Sequence, residues 1–281
     1  MKEDKFNTND PTLSVDLSEA TQAVKENRFE DGLALFKIIL NDHPDNIDAL
    51  YLASVSSRYL KEFDDSKKYI ERLLLNAPDM GRAYQELGHI NRDMGNEEKA
   101  AINYRQACEL NPALLASWNL LYKYFVKNKN QPAADHARQQ IEKLQSLPPA
   151  LLYIDQILNE GRLGLAERQC RAFLKKNPTH TYAMSLLSEI ANRLGYFDDA
   201  EFLLEKAVEF KPNDGDLRMQ YAAILRKKQK FAKTMEQVNI LCDQYPDNPI
   251  YQAQKASEMM QNGDHQRAIK MFDDILSKNP Y

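Results

Sequence analysis

The spacing of its prolines constrains this chain more than any other feature of the sequence. Prolines recur at intervals of 34 residues in two runs, Pro44, Pro78 and Pro112, then Pro178, Pro212, Pro246 and Pro280. A fixed period of this length is typical of arrays of helical hairpins, in which each repeat buries its apolar face against the next. The gap between the runs is 66 residues, two short of two periods. The spacing therefore predicts eight repeats from Leu13 to Tyr281, one of them shortened.

Small residues occupy two positions of the repeat. Position 20 holds Gly32, Ser66, Ala100, Ala134, Ala166, Ala200, Thr234 and Ala268. Position 8 holds Ala20, Ser54, Gly88, Ser188, Ala222 and Ala256, with the bulkier Tyr122 and Ile154 in the two middle repeats. Small residues on two successive helices let the backbones approach closely, which predicts an antiparallel helix pair in each repeat. Glycine recurs between them at position 15 and predicts a left-handed turn, at Gly95, Gly161, Gly195 and Gly263.

This pattern resembles the tetratricopeptide repeat (TPR) family. The third repeat carries the motif most fully, with Tyr84, Leu87, Gly88, Ala100, Tyr104, Ala107 and Pro112. The sixth repeat is similar, with Leu187, Gly195, Phe197, Ala200, Ala207 and Pro212. The resemblance implies an all-α fold, a right-handed superhelical solenoid of about eight helix-turn-helix repeats. It also implies a protein–protein interaction module.

Two successive prolines, in Leu147-Pro148-Pro149-Ala150, divide the array. They lack N–H donors and hold the backbone extended, so we expect a bend or an altered stacking angle there. The predicted blocks are repeats one to four over residues 13–146 and repeats five to eight over residues 147–281. Residues 1–12 are polar and are expected to fray.

The sequence stops at the closing proline of the last repeat, in Asn279-Pro280-Tyr281. A helical array normally ends in a polar cap, because its last apolar face has no further repeat to cover it. Here the apolar residues of the last helix are Ile269, Phe272, Ile275 and Leu276. We therefore expect either a fragment of a longer protein or an end that pairs with another copy.

Composition limits the classes of function. Hydrophobic residues make up 43% and charged residues 28%, which is typical of folded soluble proteins. The formal net charge of −4 does not favour nucleic acid, whose phosphates require a strongly basic face. We find no apolar run of membrane-spanning length and no signal-peptide core, so we expect a cytoplasmic protein without membrane contact.

Catalytic and metal-binding patterns are missing from the sequence. The cysteines Cys108, Cys170 and Cys242 are 62 and 72 residues apart, which fits no zinc spacing and predicts buried packing thiols. The five histidines are scattered, and neither a glycine-rich phosphate loop nor a nucleophile elbow occurs. The sequence predicts no enzyme activity within these residues, no cofactor and no metal.

In the TPR family, positions 2, 5, 9 and 12 of the first helix line a concave groove. In repeats two to four these positions carry a polar, cationic strip formed by Tyr51, Arg58, Gln85, His89, Arg92, Asn119 and Lys123. Arginine forks bind carboxylates and amide side chains can hold an extended backbone, so the strip predicts an acidic or C-terminal peptide as ligand. The alternative is that these residues form an ordinary solvated helix face.

A second resemblance covers residues 150–245. It is carried by Leu151-Leu152-Tyr153, Glu160-Gly161-Arg162-Leu163, Leu194-Gly195-Tyr196-Phe197 and Leu225-Arg226-Lys227-Lys228-Gln229-Lys230-Phe231. These segments are similar to the N-terminal region of bacterial proteins that join such repeats to a sulfotransferase domain. The resemblance implies a partner- or substrate-presenting arm, with the catalytic domain beyond residue 281. The alternative is a free-standing scaffold that binds an acidic or extended peptide in its groove.

Overall fold

The computed structural model describes residues 11–278, which form sixteen α-helices and no strand. These residues fall into two compact units, unit 1 ending at Arg162 and unit 2 beginning at Leu163. Most of the tail expected to fray, up to residue 10, lies outside the described residues, as does the chain end 279–281.

Unit 1 contains nine helices in its described part. They are α1 (Pro11–Lys25), α2 (Phe29–Asp42), α3 (Ile47–Tyr59), α4 (Phe63–Asn76), α5 (Gly81–Asp93), α6 (Glu97–Leu110), α7 (Leu115–Lys127), α8 (Gln131–Gln145) and α9 (Pro149–Asn159). The helices α1 to α8 pack as consecutive pairs, and each of the first three pairs packs on the pair that follows.

Unit 2 contains seven helices in its described part. They are α10 (Leu163–Lys176), α11 (Thr181–Leu194), α12 (Phe197–Phe210), α13 (Gly215–Lys227), α14 (Phe231–Gln244), α15 (Pro249–Gln261) and α16 (His265–Lys278). The pairs α11–α12, α13–α14 and α15–α16 pack on one another in chain order. The fold class is thus confirmed as a helical-repeat solenoid of about eight helix-turn-helix repeats.

The small residues of positions 8 and 20 meet inside the pairs, as the sequence predicts. In repeat two, Ser54 Oγ donates to the carbonyl of Ser66 at 2.9 Å, and Ser66 Oγ donates to that of Ser54 at 2.7 Å. In repeat six, Ser188 Oγ donates to the carbonyl of Ala200 at 3.1 Å. A side-chain hydroxyl reaches the facing backbone only where no bulky residue keeps the two helices apart.

The turn between the two helices uses the left-handed region at position 15 in every repeat. Glycine supplies it in four repeats, with φ between 76° and 85°. In the other four the residue is Asn27, Lys61, Lys129 or Gln229, with φ between 55° and 64°. The backbone geometry is therefore uniform although the residue is not, because pairing of the flanking helices imposes the turn even where a Cβ makes it costly.

A continuous apolar core runs through the first repeats of unit 1. Phe36, Leu50, Ile70, Leu73 and Ile90 are completely buried there. Burial of each such side chain stabilises the fold by about 1.5–3 kcal/mol. This core makes α3 and α5 a rigid platform for the polar residues that they carry on their other side.

Candidate functional site

The predicted strip lies on three first helices of unit 1. Its members are Tyr51 and Arg58 on α3, Gln85, His89 and Arg92 on α5, and Asn119 and Lys123 on α7. We call the side of these helices that carries positions 2, 5, 9 and 12 the first-helix face. The structure brings only part of the strip together as an accessible surface.

Arg58 pairs with carboxylates of the same chain. Its Nε donates to Glu86 Oε1 at 2.6 Å and its Nη1 to Asp93 Oδ2 at 3.1 Å. The side chains of Arg58 and Glu86 are only 10% and 3% exposed. Desolvation alone would lower the pKa of Arg58, but the Glu86 carboxylate raises it above the ordinary range. Arg58 is therefore a buried charge that joins repeat two to repeat three.

His89 is held as a neutral ring. Its Nδ1 lies 2.9 Å from the hydroxyl of Tyr104, and the two rings pack edge to face. Burial, together with the nearby charges of Arg58 and Arg92, lowers the pKa of His89 to about 4. At neutral pH this residue adds a hydrogen-bonding group to the strip and no positive charge.

The two amides of the strip have partners within the array. Gln85 Oε1 accepts a hydrogen bond from Ser117 Oγ at 3.0 Å, which links repeat three to repeat four. Asn119 Nδ2 donates to the carbonyl of Leu115 at 2.8 Å, one turn earlier on the same helix. These bonds orient both amides.

Arg92 and Lys123 meet at one depression, the inner pocket. Its lining also includes Lys127 and Tyr104, and the remaining lining residues are Glu97, Ala100, Ala101, Leu120 and Tyr124. Arg92 is 43% exposed and shares Asp93 with Arg58, whereas Lys127 pairs with Glu97. The inner pocket therefore combines exposed cations with aromatic and small apolar surface.

A segment that the sequence analysis did not single out crosses the amino ends of the same helices. The crossing segment comprises residues 156–162, the end of α9 and the residues that follow it. Gln156 Nε2 donates to the carbonyl of Ala113 at 2.9 Å, and Asn111 Nδ2 donates to the carbonyl of Gln156 at 3.1 Å. Both contacts tie α9 to the turn that precedes α7.

Two ion pairs continue the crossing towards earlier repeats. Arg82 Nε lies 2.6 Å from Glu160 Oε1, and Arg162 pairs with Asp48. Asp48 and Arg82 are the second residues of α3 and α5, so they occupy equivalent positions on the first-helix face. The segment thus meets the turn that closes repeat three, then Arg82 at the start of repeat three, and then Asp48 in repeat two, which is opposite to the order of the chain.

The burial of the crossing segment shows how closely it is held. The Glu160 side chain is 3% exposed, and this burial raises the pKa of its carboxyl, although Arg82 opposes the shift. The neighbouring Tyr51 is half-buried, and desolvation raises the pKa of its hydroxyl, with the Glu86 and Glu160 carboxylates adding to the effect. Tyr51, a predicted groove residue, is therefore half-buried and lies close enough to Glu86 and Glu160 to be affected by their charges.

The shortened repeat provides a physical reason for this crossing. The helix α8 ends at Gln145 and α9 begins at Pro149, so only three residues connect them. Pro148 adopts an extended conformation with φ −54° and ψ 138°, and Pro149 forms the first turn of α9. Two features of the sequence pointed to this crossing: one repeat is two residues short, and position 2 carries opposite charges in repeats two and three, Asp48 and Arg82.

Two segments of the chain match a family model described as tetratricopeptide repeat, over residues 81–114 and 182–214. These two segments are tetratricopeptide repeats. They are the third and sixth repeats, the two in which the sequence motif is most complete. The first match contains α5 and α6, and hence the Arg92 side of the inner pocket.

Solved structures with a similar chain course include Naa15/Naa10 bound to HypK-THB, at 15% identity and a TM-score of 0.43, covering 96% of this chain and 42% of that chain. Another is the APC/C hetero-tetramer Cut9-Hcn1, at 16% identity and a TM-score of 0.41, covering 97% and 55%. A third is MamA protein, at 14% identity and a TM-score of 0.42, covering 73% and 94%. The present chain spans about half the length of the first two.

Metal clusters and membrane-spanning helices are absent from the described part of the chain. Residues 11–278 contain no group of three or more His, Cys, Asp or Glu side chains placed to hold a metal ion. None of the helices in that range is both long and apolar enough to cross a lipid bilayer. The three cysteines are buried and unpaired, which confirms the predicted packing thiols, and burial raises the pKa of Cys108 and Cys170 to about 12.

Proposed function

We propose that this chain is a non-catalytic protein–protein interaction module, and that the inner pocket is its principal contact surface. The observation that carries the proposal is that Arg92 and Lys123 line one pocket together with the aromatic residues Tyr104 and Tyr124. Arg92 pairs with Asp93 but stays 43% exposed, whereas Arg58, which shares this carboxylate, is only 10% exposed. The inner pocket leaves charged groups facing solvent beside apolar surface, and this combination suits a protein ligand.

The chemistry of the pocket favours an acidic ligand. A guanidinium and an ammonium that line the same pocket can bind a side-chain or C-terminal carboxylate, while the apolar lining residues accept a short apolar or aromatic group. Because both cations are exposed, their attraction for a carboxylate is screened by salt. Binding should therefore weaken as ionic strength rises, and an amidated peptide end should bind less well than a free one if the ligand is a C-terminus.

Affinity capture tests the proposal. The immobilised chain is compared with the Arg92→Ala/Lys123→Ala variant and with Lys67→Ala/Lys68→Ala, which removes two exposed cations from α4. We expect the first variant to lose at least about tenfold of the protein captured specifically by the parent, and the control variant to lose none. Equal capture by all three chains would remove the inner pocket from consideration. Arg58 is kept in every variant because it is part of the fold.

The role of arm for a sulfotransferase remains a prediction from the resemblance over residues 150–245, and none of the matches described above names such an enzyme. The mass of the native polypeptide decides between the two contexts. A band near 32.4 kDa on an immunoblot favours the free-standing scaffold. A much heavier band directs the search to the additional sequence, beginning with binding of the phosphosulfate donor. Cytoplasmic location and self-association through the last repeat likewise stay predictions.

A further inference from the structure

A second depression lies in unit 2 and is lined by residues of α10, α11 and the first half of α12. Its lining includes Glu167, Arg171, Leu187, Tyr196, Asp199 and Phe202, and we call it the repeat-six groove. Its volume is about 180 Å³, whereas sites for drug-sized ligands take roughly 300–1,000 Å³. The repeat-six groove therefore has room for about one side chain of a polypeptide.

Two exposed aromatic side chains distinguish this groove from the equivalent surface of the other repeats. Tyr196 and Phe202, at positions 16 and 22 of repeat six, are 58% and 59% exposed. At position 16 the seven other repeats carry a polar or charged residue: Arg28, Glu62, Asn96, Asn130, Arg162, Lys230 and Asp264. At position 22 none of them carries phenylalanine, tyrosine or tryptophan. The repeat fold thus requires neither ring, and a pair of exposed rings at one groove is typical of a contact surface.

Asp199 lies at position 19, three residues from each of these aromatic residues in the sequence. Aspartate occupies the same position in repeats one and two, where it pairs with a cation of its own repeat. Asp31 lies 2.9 Å from Arg28, which is at position 16. Asp65 lies 2.7 Å from Lys68, which is at position 22. In these two repeats the carboxylate therefore has a counter-ion within the chain.

Repeat six keeps the carboxylate and lacks both cations. Its positions 16 and 22 hold Tyr196 and Phe202, and in the part of the chain that the structure describes no basic side chain pairs with Asp199. Arg171, the cation that lines the groove, is paired with Glu167 at 2.9 Å. Among residues 11–278, Asp199 is therefore the one charge of this lining without a partner, and aromatic rings occupy the positions of its counter-ions.

We propose that the repeat-six groove binds one Lys or Arg side chain of a partner polypeptide. The ammonium or guanidinium pairs with the Asp199 carboxylate and is attracted by the faces of the two aromatic rings. The methylene stem of the same side chain covers apolar surface of the groove, such as that of Leu187. The site goes beyond the acidic-ligand pocket of unit 1, because it selects the opposite charge and shares no residue with that pocket.

Peptide titration of the full-length, ¹⁵N-labelled chain tests this inference by NMR. The probe is an acetylated and amidated pentapeptide with a central arginine flanked by alanine and glycine, and it should cause saturable shift changes in the backbone amides of Tyr196, Asp199 and Phe202. A peptide with norleucine in place of the arginine keeps an apolar stem and loses the charge, so it should bind at least about fivefold more weakly. The arginine peptide should also lose affinity as the salt concentration is raised.

Two double variants locate the binding site. In Tyr196→Asn/Phe202→Ala each new residue is one that another repeat carries at the same position, asparagine in repeat four and alanine in repeat one, so the fold should be kept. This variant should bind the arginine peptide at least about fivefold more weakly than the parent does. The control Phe210→Ala/Ile250→Ala removes apolar side chains that are 50% and 67% exposed outside the groove, and it should bind as the parent does.

The parent chain alone can overturn the inference. It is wrong if the arginine peptide causes no saturable change at the three amides, or if the norleucine peptide binds equally well. A folded Tyr196→Asn/Phe202→Ala chain that binds as the parent does would also reject it. None of these results bears on the inner pocket, whose exposed cations repel this peptide, so the proposed function is tested separately.

Discussion

Replacement of Arg58 by methionine separates a structural charge from a ligand-binding one. Methionine keeps much of the length and apolar character of the arginine stem, so the principal loss is the guanidinium. That group lies 2.6 Å from Glu86 and 3.1 Å from Asp93, and it also stacks 4.5 Å from the centre of the Tyr59 ring. The variant leaves the Glu86 carboxylate buried without its partner.

The size of the expected loss follows from the burial of the pair. With Glu86 only 3% exposed, an unpaired carboxylate at this site should lower the free energy of unfolding by about 3–5 kcal/mol. An exposed ion pair would contribute only about 0.2–1 kcal/mol. Replacing both partners, as Arg58→Met/Glu86→Leu, removes the uncompensated charge and should bring stability back to within about 1 kcal/mol of the parent.

The loss should also depend on pH. Burial raises the pKa of the Glu86 carboxyl in the folded parent, and loss of Arg58 removes the positive charge that opposes this rise. A carboxyl whose folded pKa is raised contributes stability that is fully present below its unfolded pKa and is lost as pH rises through the folded pKa. The destabilisation of Arg58→Met should therefore be smaller in acid than at neutral pH.

Urea denaturation followed by far-UV circular dichroism measures these effects. Arg138→Met is the matched control, because Arg138 is 57% exposed and pairs with Asp135 on its own helix; it should change stability by less than about 0.5 kcal/mol. A loss below about 1 kcal/mol in Arg58→Met, or no recovery in the double variant, would refute the conclusion that this pair is buried and structural.

Three further predictions concern packing and titration. Gly88→Ala places a Cβ 2.5 Å from the Tyr104 ring and should cost about 1–3 kcal/mol in urea denaturation, whereas Gly164→Ala, with only a flexible side chain nearby, should cost nothing. Ala200→Leu should lower stability by about 1–3 kcal/mol, and an unchanged melting temperature would contradict the helix contact. An NMR titration of His89 should give a midpoint near 4; since this folded pKa is depressed, stability is present above the unfolded pKa of about 6.5 and falls as pH drops through 4.

The fold could be predicted from the sequence because its repeats make the same local contacts many times. Pro78 and Pro112 set the period, and the small residues at positions 8 and 20 mark the contact inside each pair. Ser54 and Ser66 show that this register is right to the level of single hydrogen bonds. Repetition makes such a prediction robust, since an error in one repeat is corrected by the others.

The exposure and charge of the strip residues could not be predicted from the sequence, because both depend on contacts between repeats. The charge on Arg58 is compensated by Glu86, which is 28 residues away in the sequence. The sequence alone does not identify this partner, because the two side chains meet only when α3 and α5 pack side by side. His89 is neutral because burial and the nearby charges of Arg58 and Arg92 lower its pKa. Exposure at one repeat position therefore does not follow from the repeat motif alone.

The crossing segment departs from the periodic pattern altogether. A 34-residue period predicts contacts between neighbouring repeats, whereas Arg162 reaches Asp48 in repeat two. The cause lies in the shortened repeat and in the extended Pro148, both of which were visible as irregularities. The sequence did not predict where the segment after these prolines would lie. A proline pair indicates where a regular helix stops and not which surface the next segment will contact.

Site-specific photo-crosslinking tests the proposed interaction surface most directly. A photoreactive amino acid replaces Lys123 at the inner pocket in one chain and Lys67, an exposed residue of α4, in a matched chain, and both are irradiated in extracts of the source cells. We predict discrete protein adducts from position 123, their loss when Arg92→Glu is added, and none from position 67. Adducts of equal yield from both positions, or adducts from position 123 that survive Arg92→Glu, would contradict the assignment of the inner pocket as the partner-binding surface.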